Sequence, residues 1–544
     1  MKRFRKFLFL SVFLFTSWLL IAQPVKTVNG IIIPSEGKYI EMSVVNNSVF
    51  CLSFNSSGNS AEIKSAFIAE KDGNTKNHFS IVSKGSVVGL KTGFGKLLFD
   101  TQKQTWTLSD NKGKVLFSNA TLSWGDSVQK ISYTLPQKSL FYGSGNYSTK
   151  NLLKSQSAGK QGNGTADIPY CWTTVGFCTF GTTGNDNHPA TWKAVENSSV
   201  DWTFSGKTGN LYIWPASNLY EATNNLIAIT GKAKIPPRWA FGFLQSQWGW
   251  ADRAYIENAI DNFRSRKLPV DAFIYDFERY TTFPDYFVKE NGIKGFSDFS
   301  FNEKLFPEPQ KQIAEYKKNG IKFIGIRKPR LGDSLKLIEA RKNGWILKSD
   351  YNNRDLDFSN PGLVKWYKSQ TRPLLEAGVD AWWNDEGESY YTCYYYWNKT
   401  ESELLNEVFP NARFFSINRS FSPGNQRLGY CTWNGDIRST WKALQETPAD
   451  LLNFSLSGMF YSTCDIGGFG GKDPSKELVV RWYEAGVFLP VMRAHSNLFT
   501  KPRFPWLWGD DAEAAIRKSL NLRYQLIPYF YSVAHEAYQK NKPI

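Results

Sequence analysis

From Trp239 to its end the chain repeats one pattern: a strand-like apolar run, a loop, then an amphipathic helix. The runs fall at 239–247, 270–278, 322–328, 380–386, 412–419, 431–435, 460–466 and 489–495. Helical periodicity lies between most of them, for example at 256–267, 309–319 and 363–377, and another stretch follows the last run at 512–539, with a break near Pro528. Eight strand–helix units close a (β/α)8 barrel, which usually takes about 250 residues, so 236–544 leaves room for insertions.

The stretch before it has a different period. Residues 24–235 alternate short runs such as Lys114-Val115-Leu116-Phe117 and Leu211-Tyr212-Ile213-Trp214 with turn signals at Asn46-Asn47, Ser57-Gly58-Asn59 and Gly184-Asn185. Convincing helical periodicity is scarce there, as in a β-sandwich. Pro236-Pro237 marks the boundary. The fold class expected is therefore multidomain: an N-terminal β-sandwich over 24–235, then a TIM barrel over 236–544. Residues 1–23 have the make-up of a signal peptide, with a basic start (Lys2, Arg3, Arg5, Lys6), an apolar stretch from Phe7 to Ile21 and a cleavage end at Ala22-Gln23. A secreted or periplasmic protein follows, with no membrane association after cleavage; a retained anchor is the alternative.

The formal charge of +16 raises the question of nucleic acid, but Lys and Arg are scattered along the chain rather than gathered in a block, so no nucleic-acid partner is expected. Aromatic residues make up 16% of the chain. They either stack on sugar rings or fill β-rich cores. Of the cysteines, only Cys171 and Cys178 are close in sequence, as a disulfide or as two thiols on adjacent strands. No spacing suits a metal, and no cofactor is expected.

Carboxylates at strand ends are where a barrel keeps its chemistry. Asp385 follows Ala381-Trp382-Trp383-Asn384 and precedes Glu386-Gly387-Glu388. These acids are either a solvated loop cluster or a site; the buried-looking strand before them favours a site. Asp436 ends Trp433-Asn434-Gly435-Asp436, after Arg419 and Arg427, and is either a site residue or the cap of a helix beginning near Ser439. Asp465 is either catalytic or a buried acid that orients loops. Asp276 and Glu278 share one side of the second strand, facing either the pocket or the helices. His495 ends the eighth strand, an address that weakens the usual structural role of a lone histidine. Two facing carboxylates are what glycoside hydrolysis needs.

Together these motifs resemble glycoside hydrolase family 31, the retaining exo-acting α-glycosidases, from about Leu140 to Ile544. Pro236-Pro237-Arg238-Trp239-Ala240 and Gln247-Trp248-Gly249-Trp250 resemble the family's lead into the barrel, and Asp465-Ile466-Gly467-Gly468-Phe469 is similar to another of its motifs. The resemblance implies Asp385 as nucleophile and Asp436, in a Trp-x-Gly-Asp setting beside Trp433, as general acid/base. It implies Asp276, Trp383, Arg419 and His495 around the sugar, and Phe141-Tyr142-Gly143-Ser144-Gly145 at the active-site rim. The substrate implied is an oligosaccharide or glycoside, most often an α-glucoside. An α-galactoside, α-xyloside or transglycosylation is the alternative, because Ile326-Arg327-Lys328-Pro329 and Asp276-Phe277-Glu278-Arg279-Tyr280 depart from the commoner patterns. A glycan-binding protein without catalysis is the reading from another class. The family's usual C-terminal β-domains have no counterpart here, so the sequence reads as a piece of a longer protein whose last helix, with Leu522, Tyr524, Leu526, Ile527, Tyr529, Phe530 and Tyr531, is expected to expose apolar surface.

Overall fold

The computed structural model describes residues 24–544 apart from 36, 61–62, 71–76, 147–159, 197, 277–298, 333 and 348–353. The leader lies outside the described residues, as does Glu278.

Two eight-stranded antiparallel sheets form the N-terminal sandwich. Their strands alternate buried and half-buried positions, as in Tyr39–Asn46 and Ser199–Ser205, because one face packs on the other sheet and one faces outward. Aromatic side chains fill the space between. Phe54 meets Phe204 edge-on at 5.0 Å, and Phe117 stacks on Tyr133 at 4.8 Å. Trp192, Trp202, Trp214, Trp250, Trp397 and Trp482 are all buried, so core filling accounts for much of the aromatic content. Cys171 pairs across the ladder with Thr179, and Trp172 with Cys178. The two cysteines therefore point to opposite faces of the sheet and cannot bond to each other; all six cysteines are buried and none is in a disulfide among the described residues.

A helix, Leu219–Thr230, links the domains, one that the alternating pattern upstream had hidden. Asn218 caps it by accepting from Glu221 N–H. The barrel follows, with parallel strands Phe243–Gln247, Ala272–Tyr275, Lys322–Arg327, Ala381–Asn384, Ser416–Asn418, Tyr430–Trp433, Ser462–Thr463 and Met492–Ala494. The eighth strand pairs with the first, and the ring closes between seventh and eighth through the Ile466–Ala494 bridge. Each strand is shorter than its expected run and lies within it, except that the sixth begins at Tyr430, one residue before its run, and Arg238–Phe241 is a 3₁₀ turn rather than strand. Strand parity sets the core. Leu244, Ile274, Ile324, Ile326, Trp383 and Ile417 point inward and fill the barrel, while Phe243, Phe273, Tyr275, Phe323 and Trp382 point out to the helices.

The fifth strand–helix unit departs from the expected repeat. Only a 3₁₀ turn, Asn425–Leu428, joins the fifth and sixth strands. Its place is taken by the N-terminal domain and the linking helix. Arg427 donates to the carbonyls of Ala66 and Thr230 at 2.5 and 2.8 Å, and Gln426 donates to Gly231 O at 2.8 Å. Arg427 is thus a domain clamp and not a neighbour of Asp436 in function. The C-terminal helix breaks as expected, into Asp510–Gln525 and Ile527–Lys540. Its apolar residues are less exposed than the sequence suggests: Leu522 and Tyr529 are open, whereas Ile527 and Phe530 are buried and Tyr524 donates to Asp271 at 2.8 Å.

Candidate active site

On the second, third, fourth, fifth and eighth strands the inward parity continues one residue past the strand's end, into the mouth of the barrel. Ile326 points in and Arg327 out, so Lys328 points in. Trp383 points in and Asn384 out, so Asp385 points in. Because Arg327 pairs with Asn384 in the ladder, Lys328 and Asp385 become neighbours. By the same count Asp276 follows Ile274, Arg419 follows Ile417, and Arg493 and His495 flank Ala494.

Asp385 is buried and held from both sides. Lys328 Nζ donates to Oδ2 at 2.9 Å, the Glu386 N–H donates to Oδ1 at 2.9 Å, and Arg419 Nη1 lies 3.3 Å from Oδ1. Burial raises the pKa of a carboxyl, but here the charges of Lys328 and Arg419 outweigh it, and Asp385 falls to about 2. Burial would likewise lower Lys328, yet Asp385 and Glu386 keep the ammonium above its ordinary value. The ion pairs extend outward. Arg419 forks onto Glu388 at 2.7 and 2.8 Å, and Arg330 bonds Glu386 at 2.5 Å and Asp355 at 3.1 Å. Acid and base alternate through Asp355, Arg330, Glu386, Lys328, Asp385, Arg419 and Glu388. Glu386 takes a left-handed backbone, φ 54°, which this network has to hold. The acids after the fourth strand are therefore a paired, structured cluster rather than a solvated one.

Asp436 has the opposite environment. Its pKa is raised by burial of the carboxyl in the mouth and then by the negative charge of Asp385, against the smaller pull of Arg419, Asn163 and Lys328. Its residue surface stays open to solvent along one side. It does not cap a helix: the next helix is Trp441–Leu456, and Thr440 caps it by accepting from Ala443 N–H.

Between these acids the floor is aromatic and cationic. Trp383 meets Trp433 at 5.8 Å and His495 at 4.9 Å, both edge-on. The Arg493 guanidinium lies over both indoles, 5.2 and 5.3 Å from their centres. Arg493 also pairs with Asp465, and the charges of Asp436 and Asp276 reach it. Asp465 is thus the fully buried partner of an arginine. His495 stacks on Phe469 at 5.1 Å and its Nδ1 shares a 2.7 Å hydrogen bond with Ser246 Oγ. Burial, then Arg493 and Arg503, push its pKa well down, so the ring is neutral. His495 Nε2, Trp383 Nε1, Asp465 Oδ2 and Arg493 Nη1 are buried without a hydrogen-bond partner among the described residues. Buried polar atoms of this kind are what a hydroxyl-rich ligand satisfies. A separate hollow of about 620 Å³ lies on the outer flank by Lys368 and Glu403, away from these strand ends. Among the described residues no group of three or more His, Cys, Asp or Glu side chains is placed to hold a metal ion.

The structure brings Asp276, Trp383, Asp385, Arg419, Trp433, Asp436, Asp465 and His495 to one end of the barrel. Sequence reasoning missed the roles of Lys328, Arg493, Ser246 and Asn163. Lys328 and Arg493 had a signal, a cation at an inward strand-end position; Asn163 had none, being on the other domain.

Comparison with known proteins agrees with this geometry. Residues 233–533 match the model for the glycosyl hydrolases family 31 TIM-barrel domain. An alpha-xylosidase of Saccharolobus solfataricus is 25% identical over 506 residues, covering 84% of this chain and 65% of the relative. Neutral alpha-glucosidase C of Homo sapiens is 27% identical over 395 residues, covering 65% of this chain and 42% of the relative. The chain thus spans between about two fifths and two thirds of the length of these curated relatives. Among solved structures, a GH31 alpha-xylosidase from a soil metagenome complexed with xylose superposes with a TM-score of 0.84 at 20% identity, covering 96% of this chain and 87% of that one. A GH31 dextranase of Flavobacterium johnsoniae complexed with glucose gives 0.85 at 22% identity, covering 96% and 70%. At these identities the superpositions speak for the fold.

Proposed function

The chain belongs to glycoside hydrolase family 31, and from that premise we propose that it is a retaining, exo-acting α-glycosidase. The observation that carries the reading is the opposed pair of carboxyls. Asp385 is held ionised at about 2, and Asp436 is raised above the ordinary carboxyl value. Pushing two carboxyls apart in this way assigns base and acid.

In this mechanism Asp385 attacks the anomeric carbon and displaces the leaving oxygen, which Asp436 protonates. A covalent glycosyl-enzyme forms. Asp436, now a carboxylate, takes a proton from water as that water attacks the same carbon, and Asp385 is released. Asp276, His495, Trp383 and Arg493 receive the sugar's hydroxyls, and the closed aromatic floor restricts attack to a chain end. Both acids being present, in opposed environments, argues against a glycan-binding protein without catalysis.

The glycone expected first is α-glucose, as in several relatives. The Lys328 position, where an ammonium ends the third strand, favours keeping α-galactose and α-xylose as second readings. Assaying p-nitrophenyl α-glucoside, α-galactoside and α-xyloside side by side decides among them, and no turnover of any would remove the proposal. The basic and apolar start of the chain supports secretion or a periplasmic location, which N-terminal sequencing of the mature protein tests.

A further inference from the structure

The acid/base of the barrel is held by a residue of the other domain. A short antiparallel pair, Gln161–Gly162 with Thr165–Ala166, forms a hairpin whose tip is Asn163-Gly164. The Asn163 side chain bonds Asp436 twice. Its Nδ2 donates to Asp436 Oδ2 at 2.8 Å, and its Oδ1 accepts from the Asp436 N–H at 3.1 Å. One planar amide thereby fixes both the backbone and the carboxyl of the same residue.

The contact is built into two backbones. Gly164 has φ +66°, and a Cβ there would sit 1.9 Å from Gly435 N. Gly435 has φ +83°, and a Cβ there would sit 2.5 Å from Asn163 O. Only glycine at both positions lets the hairpin tip and the Asp436 loop approach this closely. The hairpin is itself tied to the barrel. Gln161 Nε2 donates to the carbonyls of Tyr391 and Phe421 at 2.9 and 2.8 Å, and Ser420 Oγ donates to Thr165 O at 2.7 Å. These anchors leave Asn163 aimed at Asp436 while the rest of that residue faces solvent.

We propose that Asn163, from the sandwich domain, is a positioning residue that orients the Asp436 carboxyl for proton transfer. This rests on the reading of Asp436 as the acid/base. General acid catalysis is worth about 10²–10⁴-fold when the donor is in place, and a donor free to swing gives up part of that. In the step that forms the glycosyl-enzyme, the loss falls on substrates whose leaving group needs protonation and spares those whose leaving group does not. The N-terminal domain is then part of the catalytic apparatus and not only a scaffold.

The test compares wild type, Asn163→Ala, Asn163→Asp and Asp436→Asn on a p-nitrophenyl α-glycoside and on the disaccharide with the same glycone. Asn163→Ala is expected to lower kcat/KM, which reports formation of the glycosyl-enzyme, roughly 10- to 100-fold on the disaccharide and far less on the aryl glycoside. Asn163→Asp keeps the size and an acceptor for the Asp436 N–H but sets a like charge against the carboxyl. It should move the basic limb of the kcat/KM profile to higher pH. Melting temperatures near wild type show that the hairpin is still docked. If Asp436→Asn discriminates between the two substrates and neither Asn163 variant does, Asn163 is not a positioning residue and the acid/base reading stands. If Asp436→Asn itself lowers kcat/KM on both substrates equally, the acid/base reading falls and this proposal with it.

Discussion

Lys328 Nζ lies 2.9 Å from Asp385 Oδ2, and the same ammonium also pairs with Glu386. Two acids that follow one strand are thus bridged by a cation at the end of the strand beside it. Both partners are buried, so their attraction is little screened by solvent. Removing one member of such a pair leaves the other charge buried and uncompensated.

Lys328→Met is therefore expected to raise the pKa of Asp385 by about 1–3 units, the effect of losing one adjacent opposite charge. Asp385 works as the anion, so kcat/KM should fall on the acid side. The wild-type limb lies near pH 2, below the working range, and the variant should bring a limb into view between about pH 3 and 5. A kcat/KM–pH profile above pH 3 checks this, with Lys328→Arg expected to restore most of the wild-type shape. An unchanged acid side in Lys328→Met would mean that Arg419 alone keeps the carboxylate ionised.

Asp385→Asn should remove the nucleophile without disturbing the strand that carries it. A loss of about 10⁴-fold or more in kcat is expected, with a melting temperature close to wild type. More than a tenth of the activity left in a preparation free of wild-type enzyme would place the nucleophile elsewhere.

Asp436→Ala should stall on poor leaving groups yet still form a glycosyl-enzyme from an activated aryl α-glycoside. With the anion gone, azide can enter where water would, giving an α-glycosyl azide by attack on the intermediate. In Asp385→Ala, azide should instead attack the substrate directly and give the β-azide. Product anomers read by NMR would distinguish the two roles, and the same anomer from both variants would contradict them.

Glu401, on the helix behind the fourth strand, should make stability fall as pH rises. It is fully buried, accepting from Tyr367 OH at 2.7 Å and from Asn384 Nδ2 at 2.8 Å. Burial, only partly offset by these bonds, raises its pKa from 4.5 to about 7. The folded state then holds a proton that the unfolded chain gives up. This contribution is fully present below about pH 4.5 and is lost as pH climbs through 7, a change of roughly 3 kcal/mol. Denaturant unfolding at pH 5 and pH 8 should show the drop, and Glu401→Gln should flatten it. Parallel pH curves for the two proteins would show that Glu401 is ionised in both states.

The barrel was legible because its inward and outward strand residues must alternate wherever the helices cover it, and apolar periodicity records that locally. The strand-end carboxylates Asp385 and Asp436 were legible for the same reason: each follows a buried run and sits beside glycine and tryptophan. Strand lengths were not, since apolar residues continue into the loops that pack on the barrel ends, as at Arg238–Phe241. The missing fifth helix was not legible either, because what replaces it is a segment of the other domain clamped by Arg427.

The sequence by itself determined the order of elements, the residues that face inward, and the acids that reach the mouth. Only the tertiary structure decided which charge each acid meets. The ladder register sets Lys328 beside Asp385, barrel closure lays Arg493 across Trp383 and Trp433, and domain docking brings Asn163 to Asp436 over a separation of 273 residues. Local periodicity carries no information about contacts that distant, and it is the cations at Asp385 that hold that carboxyl ionised, while burial and the Asp385 charge raise Asp436.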